Sequence, residues 1–300
     1  MSTCPSDYVE RVNRAIDHIV RDLARPAKLE DVARVAGFSP FHFHRIFKST
    51  LGETLNQFCM RLRLERALYL MSHAPARSLT DVALCSGFSS SSDFSRSFRR
   101  QYGVAPSTFE LERFRRDRHN ELPHAMRTKD GESVFTTPPP GENPDGFVVR
   151  IRDLPARTVA YIRVLEPYRP SVVQAAYERL LRWALERGVA DGKWLGYSWD
   201  EPEVVGIAAC RYDIALVVDD VAPDGEIGRF DFPPMRVAEV DIDGDLALES
   251  RAIDWLYATW LPQSGYMPDE QPMFEAWHGR PYAHGSEHFA LACQLAVTRM

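Results

Sequence analysis

Two stretches of the chain repeat each other, and the repeat restricts what the first third can fold into. Leu29 to Phe58 reads LEDVARVAGFSPFHFHRIFKSTLGETLNQF, and Leu79 to Phe109 reads LTDVALCSGFSSSSDFSRSFRRQYGVAPSTF. Leu29/Leu79, Asp31/Asp81, Val32/Val82, Ala33/Ala83, Gly37/Gly87, Phe38/Phe88 and Ser39/Ser89 match at an offset of 50. The offset then becomes 51 and pairs Phe43/Phe94, Arg45/Arg96, Phe47/Phe98, Gly52/Gly103 and Phe58/Phe109. Each copy is a helix-Gly-helix unit with an Arg inside its second helix. A reader of two successive DNA grooves requires that arrangement.

Local signals give the elements. Tyr8, Val9, Val12, Ala15, Ile16, Ile19, Val20 and Leu23 recur at helical spacing and predict an amphipathic helix ending near Pro26. In the first unit Leu29–Ala36 is a short helix, Gly37 the turn, and Ser39-Pro40 an N-cap followed by proline. The next helix, 41–51, turns Phe43 and Phe47 inward and leaves His42, His44 and Arg45 to other faces. The two histidines stand at i, i+2 and diverge on a helix, so they are no metal pair. Leu55–Met71 forms a linker helix roughly 25 Å long, enough to hold two readers near the ~34 Å groove repeat. The second unit opens on the capping pattern Ser78-x-x-Asp81, turns at Gly87, and caps again at Ser89 or Ser90.

Composition narrows the function class. A length of 300 residues suggests two domains, and no apolar run is long enough to span a membrane. The N-terminus lacks a basic-then-apolar signal layout, which implies a cytoplasmic protein. Five scattered cysteines with no CxxC spacing point to neither a disulfide framework nor a zinc site. Residues 1–130 hold 21 basic and 15 acidic side chains, while the remainder holds 15 and 27. The first half is therefore the one suited to a polyanion.

Over about residues 8–116 the sequence resembles the AraC/XylS family of transcription regulators. The likeness rests on Ala36-Gly37-Phe38-Ser39, Arg45-Ile46-Phe47-Lys48, Arg61-Leu62-Arg63-Leu64-Glu65-Arg66-Ala67, Gly87-Phe88-Ser89, Phe94-Ser95-Arg96-Ser97-Phe98-Arg99 and Gly103-Val104-Ala105-Pro106-Ser107. It implies an all-α double helix-turn-helix DNA-binding domain over 1–118, with both second helices in adjacent major grooves. Carried over by position, Phe41, His42, His44 and Arg45 are candidate base or phosphate contacts in the first. Ser91, Ser92, Asp93 and Arg96 are the candidates in the second. Arg45 suits a guanine edge; Asp93 suits cytosine or a helix-capping role. Ser89-Ser90-Ser91-Ser92 sets short hydroxyls where longer amides are frequent in the family, so the second half-site is expected to be read loosely or through phosphates.

Arg113–Arg118 is a basic helical end, and 119–146, with Pro123, Pro138-Pro139-Pro140 and Pro144, reads as a linker. From 147 a second, weaker repeat gives an α+β domain of two βαββ repeats. One repeat has strands at 148–152, 158–164, 194–199 and 212–218 around a helix at 171–187. The other has strands at 228–232, 236–241, 272–277 and 287–297 around a helix at 246–260. Residues 147–300 resemble the GyrI-like ligand-binding domain through Gly196-Tyr197, Trp260-Leu261-Pro262-Gln263-Ser264-Gly265-Tyr266 and Pro272-Met273-Phe274-Glu275-Ala276-Trp277. An AraC-type reader followed by this domain is the order of Rob-like regulators. The resemblance implies a pocket carboxylate, Glu275, for flat or cationic hydrophobic ligands, with Tyr197, Trp199, Trp255, Trp260, Tyr266 and Trp277 as wall candidates.

His278, His284 and His288 lack metal-ligand spacing. No cofactor is implied. The leading expectation is a DNA-binding regulator controlled by a small-molecule effector, with double-stranded DNA and RNA polymerase as partners. The alternatives are that the second domain is a small-molecule hydrolase with Glu275 as general base, or a protein-interaction module. The chain carries no Ser-His-Asp or metal-hydrolase motif, so it is not expected to be an enzyme.

Overall fold

The computed structural model describes residues 5–74, 77–125, 139, 141–169, 171–269 and 271–299, with backbone alone at 5–7 and 119–125. It divides into two compact units, Met1–Arg115 with Pro223–Gly228, and Arg116–Ala222 with Arg229–Met300. Among the described residues no helix is long and apolar enough to cross a membrane.

The first unit is helical: α1 Pro5–Arg21, α2 Leu29–Val35, α3 Pro40–Leu51, α4 Leu55–His73, α5 Leu79–Cys85 and α6 Ser91–Tyr102. The α1 stripe predicted from spacing buries Val12, Ala15, Ile16 and Ile19 against Val32, Ala33, Phe43, Phe47 and Phe58. The long helix α4 gives Leu55, Phe58, Cys59 and Leu62 to that core and also packs on α5 and α6. Its apolar residues run around the helix because it serves both helix-turn-helix units. Phe94 and Phe98 are buried as their repeat partners Phe43 and Phe47 are. Phe88, Phe94, Phe98, Phe109 and Phe114 form a chain of ring contacts through the second helix-turn-helix.

The one-residue slip in the repeat lies where the sequence puts it. Ser39 caps α3 by accepting from the His42 N–H at 3.4 Å, and Ser90 caps α6 by accepting from the Asp93 N–H at 3.2 Å. Both helices end on a left-handed glycine, Gly52 and Gly103. The preceding turns use Gly37 and Gly87, also left-handed. These two turns are not equivalent. A Cβ on Gly37 would meet the movable end of Arg11 at 2.9 Å, whereas one on Gly87 would meet the backbone oxygen of Leu23 at 2.6 Å.

Helix α7, Leu111–Ala125, continues seven residues beyond Arg118, where the linker was expected to begin. Residues 126–138, the heart of that expected linker, lie outside the described set.

The second unit contains β1 Arg150–Leu154, β2 Arg157–Leu165, α8 Val172–Glu186, β3 Trp194–Ser198, the short α9 Pro202–Val205 and β4 Arg211–Val218. It continues with β5 Gly228–Phe232, β6 Met235–Gly244, α10 Leu246–Trp255, β7 Tyr266–Pro268, β8 Met273–Trp277 and β9 Phe289–Arg299. The predicted βαββ pair is present; α9 and β7 were not foreseen. The sheet order β1-β6-β9-β8-β3-β4-β2-β5 is symmetric about the β3–β8 pair. Each repeat's first strand pairs in the other repeat: β1 with β6, and β5 with β2. Neither repeat therefore completes its own sheet edge.

Helix α8 packs on β2 and β4, and α10 on β6 and β9. The opposite face is buried by side chains of the edge region, with Phe230, Phe232 and Met235 against Tyr161, Tyr197 and Phe274. The two turn glycines give a direct test. Gly87→Ala should lower the unfolding free energy by about 3 kcal/mol, combining left-handed strain with overpacking. Gly37→Ala should cost about 1–2 kcal/mol. Urea unfolding of the two variants checks the order, and equal losses would refute the backbone contact at Gly87.

Candidate nucleic-acid interface and ligand site

Because Phe43 and Phe47 anchor α3 inward, Phe41, His42, His44, Arg45 and Lys48 all point to solvent. Phe41 is 68% exposed, unusual for a ring of that size, and the Arg45 guanidinium sits 5.8 Å from its centroid. An exposed apolar ring beside an Arg suits a thymine methyl next to a guanine edge. Among the described residues Arg45 and Lys48 have no acidic partner, so their charge stands uncompensated at the surface.

Helix α6 treats its candidates differently. Ser92 and Arg96 are exposed, but the Ser91 hydroxyl donates to Thr80 Oγ1 at 3.0 Å. The Asp93 carboxylate accepts from the Ser89 hydroxyl at 3.1 Å and faces Arg96 at 3.9 Å. Asp93 does not cap α6, a role Ser90 fills; its carboxylate is held by the Ser89 hydroxyl instead. Arg99 and Arg100, which sequence reasoning passed over, join Arg96 and Ser95 around an open groove of about 350 Å³. Their i, i+3, i+4 spacing from Arg96 was the available signal. Neither has an acidic partner among the described residues.

In the second unit Glu275 lies on β8 at the centre of the sheet, directly across from Gly196 of β3. The Tyr212 hydroxyl of β4 donates to its Oε2. A Cβ on residue 196 would stand 1.8 Å from Tyr212 Oη and 2.4 Å from Glu275 Oε2, so only glycine lets the two meet. From α10, Glu249 hydrogen-bonds the same carboxyl. Glu249 is 4% exposed, and its carboxyl is pushed well above the usual range by burial and by Glu275. Burial also raises Glu275, while hydrogen bonds from Tyr212 and Glu249 oppose that shift. Tyr212, Glu275, Trp277, Tyr282 and Tyr168 each keep part of their surface open above buried Glu249. The aromatic residues among them surround the two carboxyls. Trp277 contacts Tyr282 at 5.7 Å, and Tyr282 contacts Tyr177 of α8 at 5.3 Å.

Of the seven ligand-site candidates, the structure brings together Glu275 and Trp277. Tyr197 is fully buried on the opposite face, because strand alternation sends it away from Gly196 and Glu275. Trp199 joins it there, donating its indole N–H to Asp213 at 2.9 Å. Trp255 packs on Phe147 in the α10 core, and Trp260 stacks on Tyr266 at 6.0 Å. All three belong to the same core as Trp277. The missed members are Tyr168, Tyr177, Tyr212, Tyr282 and Glu249. His278 and His288 pair with Asp241 and Asp243 at the surface.

A helix-turn-helix domain model matches residues 32–112, and a GyrI-like small molecule binding domain model matches 147–292. A DNA gyrase inhibitor of Serratia proteamaculans is 33% identical over 137 residues, covering 43% of this chain and 85% of that protein. The chain belongs to the GyrI-like family and carries an AraC-type helix-turn-helix domain. The probable transcriptional regulator LumQ of Photobacterium leiognathi is 35% identical over 105 residues, 34% of this chain and 42% of LumQ. The chain thus matches less than half the length of that relative. An AraC-type regulator structure from Chromobacterium violaceum is 28% identical with a TM-score of 0.31, covering 32% of this chain and 86% of that one.

Within the GyrI-like domain the Gly196 contact is the most exacting. Gly196→Ala should break the Tyr212–Glu275 hydrogen bond and cost about 2–3 kcal/mol by overpacking. Urea unfolding together with the ultraviolet titration of Tyr212 reads both effects. A stable variant with unchanged tyrosine titration would refute the contact.

Proposed function

We propose that the protein is an AraC-type transcription regulator controlled by a small hydrophobic cation. Helices α3 and α6 enter adjacent major grooves, and Glu275 receives the ligand. The observation that carries the DNA reading is the pair of matched helices whose outward arginines, Arg45 in one and Arg99 and Arg100 in the other, have no acidic partner among the described residues. Its relatives named as transcriptional regulators support it. Helix α3 supplies direct readout and α6 mostly phosphate contacts, because Ser91 and Asp93 are occupied locally. The ligand reading rests on a largely buried carboxylate with aromatic side chains around it, which attract cations. Action on DNA implies a cytoplasmic protein, with RNA polymerase as the partner through which it alters transcription.

Operator binding at fixed salt separates the two readers. Arg45→Ala should weaken the preferred operator by about 1–3 kcal/mol and random DNA much less. Arg99→Ala should weaken both alike and lower the salt slope by about 1. Equal losses on both DNAs for Arg45→Ala would sink the base-reading role.

Ligand control has its own test. Tetraphenylphosphonium, a lipophilic cation, should change operator affinity by about 5–150-fold. Glu275→Gln should abolish that response while leaving ligand-free operator binding intact. A response that persists in Glu275→Gln removes this carboxylate from the site.

A further inference from the structure

We propose that Glu249 stays protonated and acts as the neutral hydrogen-bond donor that holds Glu275 ionised, leaving the site one negative charge matched to a monocation. The inference rests on the reading of Glu275 as the ligand carboxylate and assigns Glu249 a positioning role within it. Two carboxyl groups share this place, one projecting from α10 and one from β8. Among the described residues neither forms a salt bridge. Two adjacent carboxylates without a cation cannot both be charged in apolar surroundings, so one keeps its proton.

The proton belongs on Glu249. Glu249 is the deeper residue of the two, whereas Glu275 keeps a small part of its surface open and already accepts from Tyr212. A protonated carboxyl donates one hydrogen bond, and a carboxylate only accepts. With Tyr212 and Glu249 both donating to Glu275, the protons of both groups have an acceptor.

Among the described residues no other neighbour changes this charge. Tyr168 and Tyr282 from the loops, Tyr212 from β4 and Cys293 from β9 all face the pair, and burial together with the two carboxyls pushes each further toward its neutral form. Tyr177 stands behind Tyr282. Asp200 is held by Arg211, and Asp241 by Arg150 and His278. A monocation reaching Glu275 then meets one carboxylate of compensating charge, and no proton has to leave. The acid limb of binding follows Glu275. Because burial raises that group, affinity falls as pH drops through a value above the ordinary carboxylate range.

The test uses the full chain with tetraphenylphosphonium as probe. Calorimetry in two buffers of different ionisation enthalpy should give a proton count near zero on binding at neutral pH. The infrared carbonyl band of a protonated carboxyl, followed with isotope-labelled Glu, should be present free and bound, and lost in Glu249→Gln. That variant keeps a neutral donor and should retain the wild-type affinity within about threefold and the same acid limb. Glu275→Gln should lose more than about tenfold. Release of one proton on binding, or the absence of the band from the free protein, overturns the role of Glu249 while leaving the ligand site standing. No binding to the wild type at any pH overturns both.

Discussion

The contact of Tyr212 and Glu275 beside Gly196 fixes the centre of the second unit. Gly196 and Glu275 are register partners on β3 and β8, the strands where the two βαββ repeats join. Any side chain at 196 would fill the space in which the tyrosine hydroxyl meets the carboxyl. The carboxyl in turn gives Glu249 on α10 its partner. Seam, helix and polar cluster therefore depend on one missing methyl group. Buried polar groups of this kind are tolerable only when each has its partner.

Both units are built by duplication, and each solves the same problem differently. A single helix-Gly-helix unit is too small to bury its apolar face, so the first unit runs α4 through both copies as a shared wall. In the second unit the repeats exchange edge strands, β1 and β5. The exchange removes the unpaired edge each half would otherwise expose next to its own second strand. It also places the seam of the two repeats at mid-sheet, between the two helices.

Most of the first unit was legible because its core positions carry Phe at helical spacing and its boundaries carry Ser and Gly caps. Phe43, Phe47, Ser39 and Gly52 each announce a local geometry that no tertiary contact overrides. The second unit was legible in element order but not in facing. Gly196-Tyr197 looked like an aromatic wall, yet alternation makes Gly196 the pocket residue and Tyr197 a core residue of the other face. Which face a central strand turns to the helices is a tertiary fact. Tyr212 and Glu249 were missed for a related reason. Tyr212 opens a run that reads as plain buried strand, and Glu249 sits among apolar helix residues, where a carboxyl ordinarily means exposed surface.

The inequality of the two readers follows from the same slip that shifts the repeat. The extra residue after Gly87 moves the cap from the Ser39 equivalent, Ser89, to Ser90. Ser89 is thereby free to bind the carboxylate of Asp93, which sits one turn into α6. An acid held at that point suits the helix dipole but repels the phosphate backbone. Arg96, Arg99 and Arg100 on the adjoining surface outweigh it, so α6 keeps a net positive face with little base-reading chemistry. In α3 no such acid is present, and Phe41, His42 and Arg45 remain open. Duplication preserved the scaffold, and one inserted residue made the two outward faces unequal: on the proposed reading, α3 would select sequence while α6 would anchor the protein to the duplex.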